Sequence, residues 1–521
     1  MDTWTADIWN GNVEECKRIL NEPGNWEKVP LLFDDKLALG TFVRFKGMIQ
    51  DMLNPEYYSS NYKIVNSEND EFILHQAKYQ SSTKNLQPGE EVVFGGDTLM
   101  ERQIVACIPI PGLNEWAKDV TNTNKNAEVQ LEENVNKRIR LDPVCQKYSK
   151  EIFIFVYPED INTSEFKLNQ IVEVVGFLDR RTIQEDSGDL EEQSSIAKEM
   201  HCIHAVQLKL LKNLIPDDEE MYKSIWNDAS NIRAELKFVL TQALLGDSLA
   251  ADYLLFYLVS TIYNRQHNLV PGKFSLNIRG IPNGIGQNYT KYLYSLISYL
   301  VVKSEYIPIQ IHTLNNMDLI PRKCYTSNRL LKGFLQLSDR THLVLDETDL
   351  QPGNLDSKGI LNLEALKNII SNQQMKYDFT YYGMDYETQI PTLTLSIGKS
   401  LLPCDIDIVL KPDPSCSGIE ETMNSVHGYL NSQLPLLNKL RKYIAIISTF
   451  PFIYDQDILK VIENDYVEMR KADPKNVSGD DLHRFMMISK LIALCSGKNE
   501  FDNEIWENGK SLENQRKLRN K

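Results

Sequence analysis

The chain lacks a long apolar run. Its most extended one, Leu254–Ile262, is far short of the ~20 residues that cross a bilayer, so a membrane span is not expected. The N-terminus MDTWTADIWNGN carries acidic residues and tryptophans where a secretory signal needs a basic start and an apolar stretch. A basic surplus is missing too: 56 Lys and Arg face 72 Asp and Glu, a net charge of −16. Tight non-specific binding to a phosphate backbone needs clustered cations, and the overall field opposes it. The eight cysteines include no C-x-x-C pair, which argues against a zinc ribbon and a disulfide framework and for a reducing compartment. The nearest approach to a metal cluster is His201-Cys202-Ile203-His204. Its alternating surroundings read as a strand that sends neighbouring side chains to opposite faces, and no metal is expected.

What is present is ordinary globular material, 42% hydrophobic and 25% charged over 521 residues, enough for two or three domains. Residues 1–30 read as a helical segment, with a helix around Asn12–Leu20. Residues 31–215 are β-rich. Phe42–Ile49 alternates, while Glu151–Tyr157 (EIFIFVY) and Gln170–Leu178 (QIVEVVGFL) hold the β-branched and aromatic residues that strands prefer. Many short strands suggest a small OB-like barrel, with polar loops at 114–151 and 181–199. Beyond Met221 helices and strands alternate. Strands are expected at Phe274–Ile278, Ile307–Ile311, Leu343–Leu345, Thr392–Ile397 and Asp407–Leu410. Helices are expected at Tyr289–Val302, Ser327–Leu335 and Asn362–Ser371. That is an α/β domain, 221–425, with a mostly parallel sheet. Residues 426–521 read as an all-helical lid. The expected fold class is α+β multidomain, an OB-like domain followed by an α/β domain with an all-helical lid, the latter by resemblance a degenerate AAA+-like module.

Two segments of the α/β half have the layout of a nucleotide site. The strand Phe274–Ile278 leads into a glycine-rich turn containing Gly280, Gly284 and Gly286, and then into a helix. Phosphate chemistry needs more than this layout: a lysine for the outer phosphates and a Ser/Thr for magnesium. Here Gln287 follows Gly286, and the loop holds no Gly-Lys-Ser/Thr. The second segment is Thr341–Glu347, an apolar strand ending in Asp346-Glu347, which either presents two carboxylates to magnesium and water or simply caps the next turn. With the lysine missing, the combination reads as a vestigial site that binds no cofactor, and no catalytic residue is expected. An active ATPase with an irregular loop is one rival. A single-strand nucleic-acid binder stacking bases on Phe42, Phe45, Phe153, Phe155 and Tyr157 is the other.

Ser400–Leu410 resembles the segment of minichromosome maintenance helicase subunits in which an arginine reaches a neighbour's phosphates; here Cys404 stands roughly at that arginine's place. Leu440–Ile444, Tyr466–Lys471 and Asp481–His483 resemble the lid of those subunits. Over nearly its full length the chain resembles one family, the mini-chromosome maintenance complex-binding proteins. The segments that carry the likeness are Phe42–Met52 with Asn54–Tyr58, Glu101–Gln103 with Cys107–Gly112, Ala243–Leu254, Leu345–Thr348 and Asp465–Lys471. The likeness fades at 114–151, where the family's polar insertion is shortened. The resemblance implies a nuclear, non-catalytic partner of minichromosome maintenance helicase subunits, reaching chromatin through them. It implies action in helicase assembly, subunit protection or unloading during DNA replication. Lys137-Arg138-Ile139-Arg140 is a candidate import patch.

Overall fold

The computed structural model describes residues 4–32, 37–66, 72–80, 90–94, 99–121, 151–185, 196–215, 218–265, 269–282, 286–414, 418–474 and 477–520. Three short helices come first, α1 (Ala6–Gly11), α2 (Val13–Leu20) and α3 (Asn25–Lys28). Strands follow: β1 (Phe42–Met52), β2 (Glu56–Ser59), β3 (Asn61–Asn66), β4 (Phe72–Gln76), β5 (Glu90–Phe94) and β6 (Leu99–Ile108). After helix α4 (Glu115–Thr121) come β7 (Ile152–Val156), β8 (Ile171–Glu185) and β9 (Ile196–Leu211).

Five of these strands close on themselves. β1 pairs antiparallel with both β6 and β8, β6 with β7 and β8 with β9, while β7 and β9 run parallel. The reason for the unbroken apolar runs is that both faces of these strands are covered. Val43, Phe45, Ile49, Ile154, Val174 and Ile203 share one buried cluster. On the opposite face Phe42, Phe153, Phe155, Phe177 and Cys202 pack with Trp9, Leu20 and Trp26 of the leading helices. β3, β4 and β5 form a separate three-stranded ribbon, with β3 in the middle.

Helices α5 (Glu219–Asn227), α6 (Ala229–Ala243) and α7 (Ser248–Val259) lead into the second half. α7 is buried from Leu249 to Val259 on every side, as an all-round apolar helix must be; its one charge, Asp252, is matched by Lys237 at 2.7 Å. The sheet here consists of β10 (Ser275–Arg279), β11 (Ser304–Pro308), β14 (His342–Asp346), β17 (Thr392–Ser396) and β18 (Ile406–Val409). Its order is β11-β14-β17-β10-β18 and each pairing is parallel. Between these run α8 (Gly286–Leu300), α9 (Ile311–Asn316) and α10 (Ser357–Asn372). A side sheet is made by β12 (Arg322–Cys324), β13 (Arg329–Leu331), β15 (Gln374–Asp378) and β16 (Gly383–Glu387). The chain ends in α11 (Ile419–Ser432), α12 (Leu434–Ile446), α13 (Gln456–Ala472), α14 (Gly479–Cys495) and α15 (Asn503–Asn520). The structure is thus mixed α/β with several sheets.

Three expectations need correction. The helix expected over Ser327–Leu335 is instead the turn and second strand of the β12–β13 hairpin. Asn328 adopts φ +50°, Leu330 is buried while Leu331 is exposed, and a Cβ on Gly333 would lie 2.4 Å from Pro321 N. The polar stretch 114–151 begins with a helix, not a loop, because Asn114 and Trp116 find partners. Asn114 Nδ2 donates to Val301 O at 2.7 Å and Trp116 Nε1 to the same oxygen at 3.1 Å. The stretch 181–199 is strand at both ends, since β8 and β9 stay paired out to Glu185↔Ile196. The rest of both stretches, Lys137–Arg140 included, lies outside the described residues.

Candidate functional site

Asp346 ends the central strand β14, where a parallel sheet delivers its C-terminal residues to a common edge. Its carboxylate is buried and fully engaged. Thr290 Oγ1, from the second turn of α8, donates to Oδ2 at 2.6 Å, and the Tyr306 hydroxyl donates to the same oxygen. Oδ1 accepts from Thr348 N at 2.9 Å and from Thr348 Oγ1 at 2.7 Å. The last two bonds make Asp346 the cap of the turn that follows, and the first two tie strand β14 to α8 and β11. Neither Thr290 nor Tyr306 stands out in the sequence. Tyr306 is placed by sheet register, two residues before Pro308, which lies opposite Asp346.

Glu347, next in the chain, points to the segment after β17. Its Oε2 accepts from Leu401 N at 3.2 Å, while Oε1 has no hydrogen-bond partner among the described residues. Burial pushes this carboxyl up, opposed by the Ser400 hydroxyl and the Leu401 and Leu402 amides. A group whose pKa is higher folded than unfolded supports folding when protonated, and that support is lost as pH rises through the folded value. Glu347→Gln is therefore expected to gain stability relative to the wild type as pH rises from about 4 to about 7. Thermal melts at the two pH values check this; an advantage that is unchanged or shrinks would contradict it.

Gly280 follows β10 at φ +82°, where a glycine is at ease, and its N–H donates to Ile397 O at 3.1 Å. Gly286 and Gln287 open helix α8, and Gly284 lies outside the described residues. The structure thus links the glycine turn to the acidic strand through α8 and Thr290. Around Cys404, whose thiol burial pushes up to about 11, the chain is stitched to β10. Asp405 Oδ2 accepts from Ser275 N at 3.0 Å and Ser275 Oγ at 2.7 Å, and Asp407 accepts from Asn277 at 2.9 Å and Arg279 at 2.9 Å.

The other sequence candidates sit in the barrel. Phe42, Phe45, Phe153, Phe155 and Tyr157 are all buried, so their rings serve the core rather than a stacking platform. His204 is likewise buried, with Nδ1 2.8 Å from the Tyr157 hydroxyl and Nε2 3.2 Å from Asp179. Sequence reasoning did not anticipate the seam between barrel and α/β half. Gln50 Nε2 donates to Leu330 O at 2.7 Å, Asp51 accepts from Leu330 N at 2.8 Å, and the Tyr377 hydroxyl donates to Asn169 at 3.0 Å. Gln336 Nε2 returns a bond to Gln50 O at 2.8 Å. Buried, satisfied polar contacts of this kind fix one relative orientation. No helix among the described residues is long and apolar enough to cross a membrane.

Comparison with known proteins covers the whole of this architecture. The family model described as mini-chromosome maintenance replisome factor matches residues 16–147 and 121–520. Among curated relatives, the mini-chromosome maintenance complex-binding protein of Gallus gallus is 33% identical, covering 99% of this chain and 94% of its own length. That of Homo sapiens is 32% identical over 94% of this chain and 90% of its own length. That of Drosophila melanogaster is 30% identical over 96% and 94%. With barrel, seam, parallel sheet and C-terminal helices all inside the matched residues, the chain belongs to the mini-chromosome maintenance replisome factor family.

Proposed function

We propose that this protein is a non-catalytic nuclear partner of minichromosome maintenance helicase subunits, acting in DNA replication through helicase assembly, protection or unloading. The observation that carries the reading is the end-to-end match to relatives named as binding proteins of that complex. The barrel's pairing order, five strands closed by one parallel pair, supports an OB-like reading of the first domain. The parallel sheet, with the glycine-turn strand β10 and the Asp-Glu strand β14 on either side of β17, supports a degenerate AAA+-like second domain. A chain shaped like a helicase subunit, whose Asp346 is bound by its own Thr290, Tyr306 and Thr348, can occupy a subunit interface without driving the ring.

The test is affinity capture of the tagged full-length chain from nuclear extract, with bound proteins identified by mass spectrometry. Several minichromosome maintenance subunits in near-stoichiometric amounts are expected. Their absence, at low salt as well, would overturn the reading and leave family membership as a statement of ancestry.

A further inference from the structure

Lys490 lies on α14 with only apolar residues at helical spacing, Met486, Met487, Ala493 and Leu494. No acid stands one turn away to meet its charge, and its amine is met instead by rings from two other segments. Nζ lies 3.5 Å from the ring centroid of Tyr263, which follows α7. It lies 5.4 Å and 5.7 Å from those of Phe452 and Tyr454, which follow α12. Phe501 packs edge-on against both, at 4.9 Å and 5.8 Å. The enclosure reaches solvent, since Tyr263 and Tyr454 keep 43% and 36% of their surfaces exposed and Lys490 is only partly buried. Ring faces attract an ammonium but offer it no counter-charge. The titratable groups against it are the hydroxyls of Tyr263 and Tyr454, which burial holds above their ordinary value and therefore neutral. Burial, unopposed by any carboxylate, pulls the Lys490 ammonium down to about 8.

The other desolvated lysines among the described residues each lack either the weakly held charge or the open approach. Lys209 stands 3.7 Å over Trp26, but Glu173 and Glu27 act to keep it charged. Lys303 is pulled down to about 7, yet it is 6% exposed, and its amine donates to Ser338 Oγ at 2.7 Å and Asp339 O at 2.6 Å. Lys332 is pulled down to about 8, but its Nζ is fully buried. A lysine activated by desolvation and still open to an electrophile is a nucleophile. We propose that Lys490 is an acylation site, its amine taking a short acyl group from a thioester donor. The neutral nitrogen attacks the thioester carbonyl. The C–N bond forms, the C–S bond breaks, and the thiol leaves with the proton that the nitrogen sheds. The amide formed carries no charge, so the enclosure no longer holds a cation without a counter-ion.

The test incubates the full-length chain with acetyl-coenzyme A at pH values from about 7 to about 10 and follows each lysine by peptide mass spectrometry. At pH about 7.5, Lys490 is expected to be acetylated at least about tenfold faster than the exposed Lys367, Lys442 and Lys471. Its rate is expected to level off above about pH 8, while theirs keep rising towards pH about 10. Tyr263→Glu places a carboxylate beside the amine on a partly exposed residue. With melting unchanged, it is expected to bring Lys490 down to the rate of the exposed lysines, while Tyr263→Phe, which keeps the ring, reacts as wild type. Wild-type Lys490 that reacts no faster than the three exposed lysines, or whose rate climbs in step with theirs to pH about 10, would overturn the proposal. So would a Tyr263→Glu chain that melts as wild type and still acetylates Lys490 at the wild-type rate.

Discussion

Replacing Glu513 with alanine is expected to destabilise the C-terminal half by about 3–5 kcal/mol, the cost of stripping one partner from a buried ion pair. Glu513 lies on α15 and is completely buried. Arg516 Nε donates to its Oε2 at 2.9 Å, the Tyr253 hydroxyl donates to the same oxygen at 2.9 Å, and Arg484 lies 3.6 Å from Oε1. Without the carboxylate, the Arg516 guanidinium loses its counter-charge in an apolar setting beside α7. Arg516 also donates to Asp407 O at 2.7 Å, so the damage extends to strand β18. Urea unfolding followed by tryptophan fluorescence would read the loss, since Trp506 on the same helix donates to Asp465 at 2.7 Å. Glu513→Gln keeps the shape and one acceptor and is expected to lose less. Equal midpoints for wild type and Glu513→Ala would show that the network contributes nothing net.

Asp346→Ala is expected to cost about 2–4 kcal/mol, because it takes away the common acceptor of Thr290, Tyr306 and Thr348 inside the sheet edge. The sign of this effect separates two roles. A carboxylate held for magnesium sits among repelling charges, and its removal is neutral or stabilising. A carboxylate that four donors already satisfy is part of the scaffold, and its removal is harmful. Magnesium–ATP gives an independent readout: a ligand at 100 times its Kd raises stability by about 2.7 kcal/mol. The wild-type melting temperature is expected not to move with magnesium–ATP. An upward shift in wild type that Asp346→Ala abolishes would show a nucleotide-binding site and displace the vestigial-site reading.

Much of the fold was legible where local pattern and tertiary burial agree. The all-helical segment expected over 426–521 includes the helices Gln456–Ala472 and Gly479–Cys495, because their periodicity and caps act within a few residues; Ser478 and Asp481 make a reciprocal capping box at the second. The helix expected at Ser327–Leu335 fails for the opposite reason. Its Leu-Leu-x-x-Phe-Leu spacing imitates a helix face, while Asn328 and Gly333 hold the chain in a hairpin whose partner, β15, lies more than forty residues on. The β15–β16 hairpin itself was missed because Tyr381 and Tyr382 stand exposed at its turn, outside any buried alternation.

The sequence by itself determined the things that depend on composition and on ordered local likeness. These are an acidic chain without a long apolar run, a β-rich half followed by an α/β half and a helical end, a glycine turn without its lysine, and a family. Only the tertiary structure decided what Asp346 does, since Thr290 and Tyr306 reach it from a helix and a strand 56 and 40 residues away. It alone decided that Gln50 and Asp51 bind Leu330 across the seam, and that Phe72–Leu74 stand at an open edge. The physical reason is the same in each case. A hydrogen bond, a buried charge or a sheet edge is a relation between segments distant in sequence, and neither partner bears a mark of it until the chain has folded.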